Sequence, residues 1–181
     1  MATSCLRWYL RVLDKHPWKT QTITTGILMA CGDFICQTVV EQKTLKNIET
    51  RRLVRFAFLG TCFVGPTLRS WYLVLEKVCG VSGKTVGLQK MLLDQGLFVP
   101  VFLANFLTVN GLLQNHSWIQ IKEKLKRDYF EVLKANYMLW PAAQLFNFYI
   151  VPFQHRVMVV NLVALFWNTY LAWKANTNNV D

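Results

Sequence analysis

Three stretches of this chain contain no Asp, Glu, Lys or Arg: Gln95 to Ile121, Ala135 to His155, and Val157 to Trp173. No other feature narrows the fold so far. A helix needs about 20 mostly apolar residues to cross a hydrocarbon core of roughly 30 Å. The first two stretches reach that length, and the third stands at its lower edge. Two further segments carry isolated charges: Thr20 to Val40 is interrupted only by Asp33, and Leu53 to Leu75 holds Arg55 and Arg69. A soluble bundle would need polar helix faces for water, and five such segments leave too few. Composition agrees without deciding the matter, since 17% of residues are charged where a soluble domain has about 25%. The predicted fold is all-α. It is an integral membrane helical bundle with at least four transmembrane helices, forming one membrane domain over 1–181. The spans are 20–40, 53–75, 92–114 and 135–153, with a marginal fifth at 157–173.

Charge collects between these spans. Met1–Lys19 holds four basic residues and one acid, Glu41–Arg55 five and two, Glu76–Lys90 three and one, and Lys122–Lys134 five and three. Basic connectors suit anionic lipid headgroups, which are the expected partner surface. No stretch forms a basic stripe on a soluble face, so direct nucleic-acid binding is not expected. Both sides of the membrane receive basic loops, so charge does not set an orientation. No compact apolar core followed by a small-residue cleavage site marks a secretory signal. Residues 3–15 read instead as a short amphipathic helix: Leu6, Leu10 and Leu13 share one face, and Arg7, Arg11 and Asp14 another. Such a start fits a mitochondrial address and an interfacial helix equally. His16-Pro17 ends it, because the residue before proline is pushed out of helical geometry.

Several motifs lead nowhere. The five cysteines, at 5, 31, 36, 62 and 79, form no C-x-x-C, and the three histidines are scattered, so neither metal nor cofactor is expected. Gly80 to Thr85 imitates part of a phosphate loop, but the required first glycine is Val78 and no strand precedes it. Asn115-His116-Ser117 is a glycosylation sequon that matters only in the secretory pathway. No Ser-His-Asp set and no carboxylate pair at helical spacing lies within a span, so no catalysis is expected.

The informative residues are polar ones inside the spans, because an ionised side chain at the bilayer centre costs about 2.5–3.5 kcal/mol and seeks a partner or water. Gly26, Ala30, Asp33 and Gln37 share a face that combines close helix approach with polar contact. Gly65-Pro66 should kink the second span, with Arg69 one turn beyond. Asp94, Phe98, Val101, Asn105, Thr108 and Leu112 form one stripe of the third span, which Pro100 should also kink. Gln144 and Asn147 share a side of the fourth, Asn161 and Asn168 a side of the fifth, and Arg156 opens the fifth. Single amides of this kind commonly serve as interhelical hydrogen bonds. The two Asp and two Arg can instead neutralise one another around a water-filled path. The pore or gating residues expected on this basis are Asp33, Arg69, Asp94, Asn105, Gln144, Asn147 and Arg156. Trp8, Trp18, Trp118 and Trp173 fall near span ends, as interfacial anchors do.

The late block Trp140-Pro-Ala-Ala-Gln144-Leu-Phe-Asn147-Phe, then Val151-Pro152, Arg156 and Trp167-Asn168-x-Tyr170-Leu171, resembles the signature of the Mpv-seventeen and twenty-two-kilodalton peroxisomal membrane protein family. Earlier residues resemble its mitochondrial branch: His16-Pro17-Trp18-Lys19, Gly32-Asp33, Phe63-Val64-Gly65-Pro66, and Met91 to Gly96. Ala172 departs from the pattern, where the family tends to carry Ser. The resemblance implies a mitochondrial inner-membrane protein, with the peroxisomal membrane as the alternative location. It also implies a channel-like role for small hydrophilic solutes, linked to metabolite and nucleotide homeostasis, mitochondrial DNA maintenance and reactive oxygen species. A path through so few helices could require a homo-oligomer. The rival expectation is a non-conducting scaffold that stabilises a partner complex, in which the polar residues only pack.

Overall fold

The computed structural model describes residues 2–80, 85–150 and 156–177. Those residues are helical with no strand among them, as the uncharged stretches require. The helices are α1 (Ala2–Lys15), α2 (Pro17–Ile35), α3 (Thr50–Phe58), α4 (Gly65–Cys79), α5 (Val86–Leu93), α6 (Val99–Leu113), α7 (Trp118–Tyr149) and α8 (Arg156–Asn176). Most of the phosphate-loop imitation and the Val151-Pro152 step lie outside the described residues.

Proline sets the local construction. Pro17 stands in the first turn of α2, where the missing N–H has no intrahelical partner to lose, and Pro66 and Pro100 take the same place in α4 and α6. Pro66 and Pro100 are nevertheless internal to longer rods, because wide π turns at Leu59–Val64 and Asp94–Phe98 run straight into α4 and α6. Proline withdraws the donor that the carbonyl four residues earlier would take, and bonding to the fifth residue steps over the gap. The breaks expected at Gly65-Pro66 and Pro100 thus take the form of widened turns. A third π turn, Cys36–Val40, finishes α2. α1 is amphipathic as expected, with Arg7, Arg11 and Asp14 outward and Leu6, Leu10 and Leu13 half-buried. The sequon turns out to be a helix start: Ser117 caps α7, its Oγ accepting from Gln120 N while Gln120 Oε1 accepts from Ser117 N at 2.7 Å.

α2 and the α3–α4 rod form an antiparallel hairpin. Gly26 faces Gly60 so closely that a Cβ on Gly60 would lie 2.6 Å from Gly26 Cα, and Gly65 meets Thr22 in the same way. Gly32 gives the same close approach to Asn168 and Thr169 of α8. Between apolar helices in lipid, such backbone contact does the work that hydrophobic burial does in water. The exterior is correspondingly apolar, with Ile23, Ile27, Val101, Leu162 and Phe166 all more than half exposed.

Two rods, Pro17–Val40 and Val86–Leu113, are long and apolar enough to cross a bilayer. The basic run Lys122–Lys134, expected as a connector between spans, is helical. It is the first half of a single helix of 32 residues that lies alongside α6. Ile121 packs on Gly111, the Tyr129 hydroxyl donates to the Pro100 carbonyl (3.1 Å), and Asn136 Nδ2 donates to Gln95 Oε1 (3.0 Å). Charge pairing makes this possible. Asp128 is almost fully buried, with Arg127 at 3.1 Å, Lys124 at 3.4 Å and Lys174 of α8 at 3.7 Å. Lys124 also donates to the carbonyls of Lys174 and Thr177 at the end of α8, where a cation is favoured.

Candidate functional site

A cavity of about 330 Å³ lies between α2, α4, α6, α7 and α8, with Tyr9 and Leu13 of α1 also on its wall. Phe63, Phe98, Phe102 and Trp71 form a stacked aromatic ladder at centroid distances of 4.8 to 6.1 Å, and Phe98 and Phe102 face the void. Polar groups arrive from every main wall but α6: Gln21, Thr24 and Thr25 of α2, Arg69 of α4, Asp94 and Gln95 of the second π turn, Asn136 and Gln144 of α7, and Asn161 and Asn168 of α8. Asp94 takes a hydrogen bond on each oxygen, from Trp71 Nε1 and from Gln95 Nε2, both at 2.9 Å. Arg69 Nε is buried and has no hydrogen-bond partner.

Of the residues singled out in the sequence, Arg69, Asp94 and Gln144 line this cavity together. Asn105 does not. It is exposed, and its Nδ2 donates back to the Val101 carbonyl at 2.8 Å. The reason is the π turn, which spends an extra residue and rotates everything beyond it, so the stripe from Asp94 to Leu112 does not keep one face. The side chains of Asn147 and Arg156 lie outside the described residues. Asp33 stands in a separate cluster where the α2–α3 hairpin turns. Gln37 Nε2 donates to its Oδ2 at 2.9 Å, and Arg52 Nε pairs with its Oδ1. The same guanidinium meets both oxygens of Glu41, at 3.0 and 2.7 Å, and Lys43 bridges Glu41 to Glu49. Burial works against ionisation of Glu41, but the hydrogen bonds from Arg52 and Lys43 outweigh it and hold the carboxyl at about 2.

A polar cleft of about 300 Å³ opens beside this cluster, bounded by Glu41, Lys43, Glu49, Arg52, Trp173, Asn176 and Thr177. Trp173, expected as an interfacial anchor, is thus half-buried at a polar rim, whereas Trp8, Trp18 and Trp118 are exposed. Toward this end the cavity closes on Met29, Leu103, Phe106 and Leu171, which belong to one apolar core with Phe56 and Leu59. Among the described residues no group of three His, Cys, Asp or Glu could hold a metal.

The chain is 49% identical over 170 residues to "Mitochondrial inner membrane protein Mpv17" of Xenopus laevis, covering 94% of this chain and 96% of that protein. It belongs to the Mpv17 / PMP22 family. The family model itself matches residues 111–172. The human protein of the same name is 47% identical over 174 residues, covering 94% of this chain and 97% of that one. A Dictyostelium discoideum protein named "PXMP2/4 family protein 2" is 33% identical over 91% of this chain and 87% of its own length. No solved structure matches. This Mpv17 / PMP22 chain is therefore a protein of the mitochondrial inner membrane, and the mitochondrial location expected from its sequence holds over the peroxisomal one.

Arg52 is the functional-looking residue that the sequence reading missed, having placed it in a basic connector. A signal was available. Folding the hairpin about residues 41–49 sets position 52 opposite position 33, and a buried carboxylate there requires a counterion.

Proposed function

We propose that this Mpv17 / PMP22 chain is a channel-like protein that passes small hydrophilic solutes across the mitochondrial inner membrane by way of the cavity. In this reading at least four of its helices cross the bilayer, and basic segments touch anionic headgroups. Its transport contributes to metabolite and nucleotide homeostasis, to mitochondrial DNA maintenance and to control of reactive oxygen species. No catalytic role is assigned, and a homo-oligomer would widen the path. The observation that carries this reading is a void into which charged and amide side chains project from several helices, inside a protein whose exterior is apolar. Polar groups lining an interior path are what a solute leaving water needs, whereas a bundle held by packing alone has no use for such a void.

The test is reconstitution of the purified chain in liposomes loaded with small solutes of graded size. Size-limited release that Asp94→Asn and Gln144→Leu alter supports passage. Intact liposomes at every size refute it.

One observation favours a second reading, a non-conducting scaffold for a partner complex. Apolar core residues Met29, Leu103, Phe106 and Leu171 bound the cavity, and none of the ion-paired Asp33, Glu41 and Arg52 lines it. A stable stoichiometric complex in native gels, without solute release in isolation, is what that reading requires.

A further inference from the structure

We infer that the cavity binds a small organic anion, a carboxylate or phosphate monoester, with the Arg69 guanidinium as its anchor. This rests on the reading of the cavity as a solute path and names the class of solute.

Buried Arg52 and half-buried Arg69 stand in contrast. Arg52 spends its whole fork: Nε on Asp33, Nη1 and Nη2 on Glu41, and Nη2 also on Cys36 Sγ at 3.3 Å. Arg69 spends none of it. Its Nε is buried without a partner, and no ion pair among the described residues includes it. It nevertheless stands one turn past Pro66 with that nitrogen buried, and a buried polar group left without a partner is costly. Asp94 faces the same cavity from another helix, but no ion pair joins it to Arg69, and its oxygens accept from Trp71 and Gln95 instead. Of the two charged groups lining the cavity, the one whose hydrogen-bonding capacity is left unused is therefore the guanidinium. Its geometry, a planar fork, matches the paired oxygens of a carboxylate or phosphate.

The rest of the wall sets the remainder of the ligand. Asn136, Gln144, Asn161 and Asn168 offer neutral donors and acceptors suited to hydroxyl or amide groups. The 330 Å³ void holds the volume of about ten waters at roughly 30 Å³ each, which admits a small metabolite and excludes a folded peptide.

The site carries its own reporter, because Trp140 and Trp167 line the void and Trp71 bonds to Asp94. The full chain in uncharged detergent is titrated with succinate, glycerol 3-phosphate, inositol and choline while tryptophan fluorescence is followed. Saturable binding of the two anions alone is expected. Arg69→Gln should weaken it about tenfold to a hundredfold, matching charge-assisted bonds of roughly 1.5–3 kcal/mol, and Arg69→Lys should restore part of it. Equal binding of inositol and succinate, or full anion affinity in Arg69→Gln, overturns the inference. A second arm adds vesicles of uncharged or anionic lipid. Displacement of succinate by anionic lipid alone would assign the guanidinium to a headgroup phosphate and overturn the solute assignment. Anion binding without liposome release defeats the passage reading and leaves this one standing. Release without anion preference defeats this one alone.

Discussion

Replacing Arg52 with methionine keeps most of the side-chain volume and removes the charge that joins α2 to α3. The arginine is 4% exposed and Asp33 is 0% exposed. After the change, Asp33 keeps one donor, Gln37 Nε2 at 2.9 Å, and Glu41 keeps Lys43 at 2.8 Å. A carboxylate stranded in this way costs about 3–5 kcal/mol, because the desolvation it has already undergone is no longer offset. Adding Asp33→Asn returns much of that loss, since a neutral amide in the same place still accepts from Gln37. The double variant should fall short of the sum of the single costs by about 2 kcal/mol. Reversible unfolding in mixed micelles titrated with dodecyl sulfate, read by circular dichroism, measures all four corners of the cycle. A cost below about 1 kcal/mol for Arg52→Met, or strictly additive singles, would refute the view that this pair clamps the hairpin.

Glu41 makes the same clamp pH-dependent in a defined direction. Its carboxyl lies at about 2 in the folded chain against an ordinary 4.5, so its contribution is complete above 4.5 and drains away as pH falls toward 2. Acid unfolding of the native chain should therefore steepen below pH 4.5, and Glu41→Gln should flatten that slope; an unchanged slope would exclude Glu41 as its source. Gly60→Ala should destabilise by about 1–3 kcal/mol because its methyl would collide with Gly26 backbone. Gly87→Ala, with open space around the position, should be neutral or gain up to about 1 kcal/mol, and equal effects at the two sites would contradict the close hairpin contact. Asn110 is fully buried with neither amide atom partnered, so Asn110→Leu should raise stability by about 1–3 kcal/mol. A loss on the same micelle titration would show that the amide is satisfied after all.

The helical class and the apolar exterior were legible because absence of charge over long stretches has few structural solutions. The pairing of Asp33 with Gln37 was legible too, since four residues make one helical turn and the contact is local. What escaped was non-local or depended on phase. Asn105 left its expected face because a widened turn between it and Asp94 shifted the helical count, and local periodicity carries no mark of that turn beyond Pro100. The run Lys122–Lys134 looked like a connector between spans because its partners, Lys174 above all, lie some 40 to 50 residues away in sequence. Arg69 and Asp94 share a cavity without touching each other, an arrangement that mutual neutralisation of charges did not anticipate.

The register of α6 and α7 bears on the lipid around the protein. Exposed Lys122, Lys126 and Arg127 sit on a helix running beside the apolar rod Val86–Leu113, so the apolar surface has unequal heights on neighbouring flanks. With both helices across a bilayer, acyl chains next to α7 would have to shorten, or let water dip inward, where those next to α6 would need to do neither. In the membrane reading proposed above, such a lopsided girdle would thin the leaflet on one side of the protein. Two copies set flank to flank would relieve that deformation without a single new hydrogen bond.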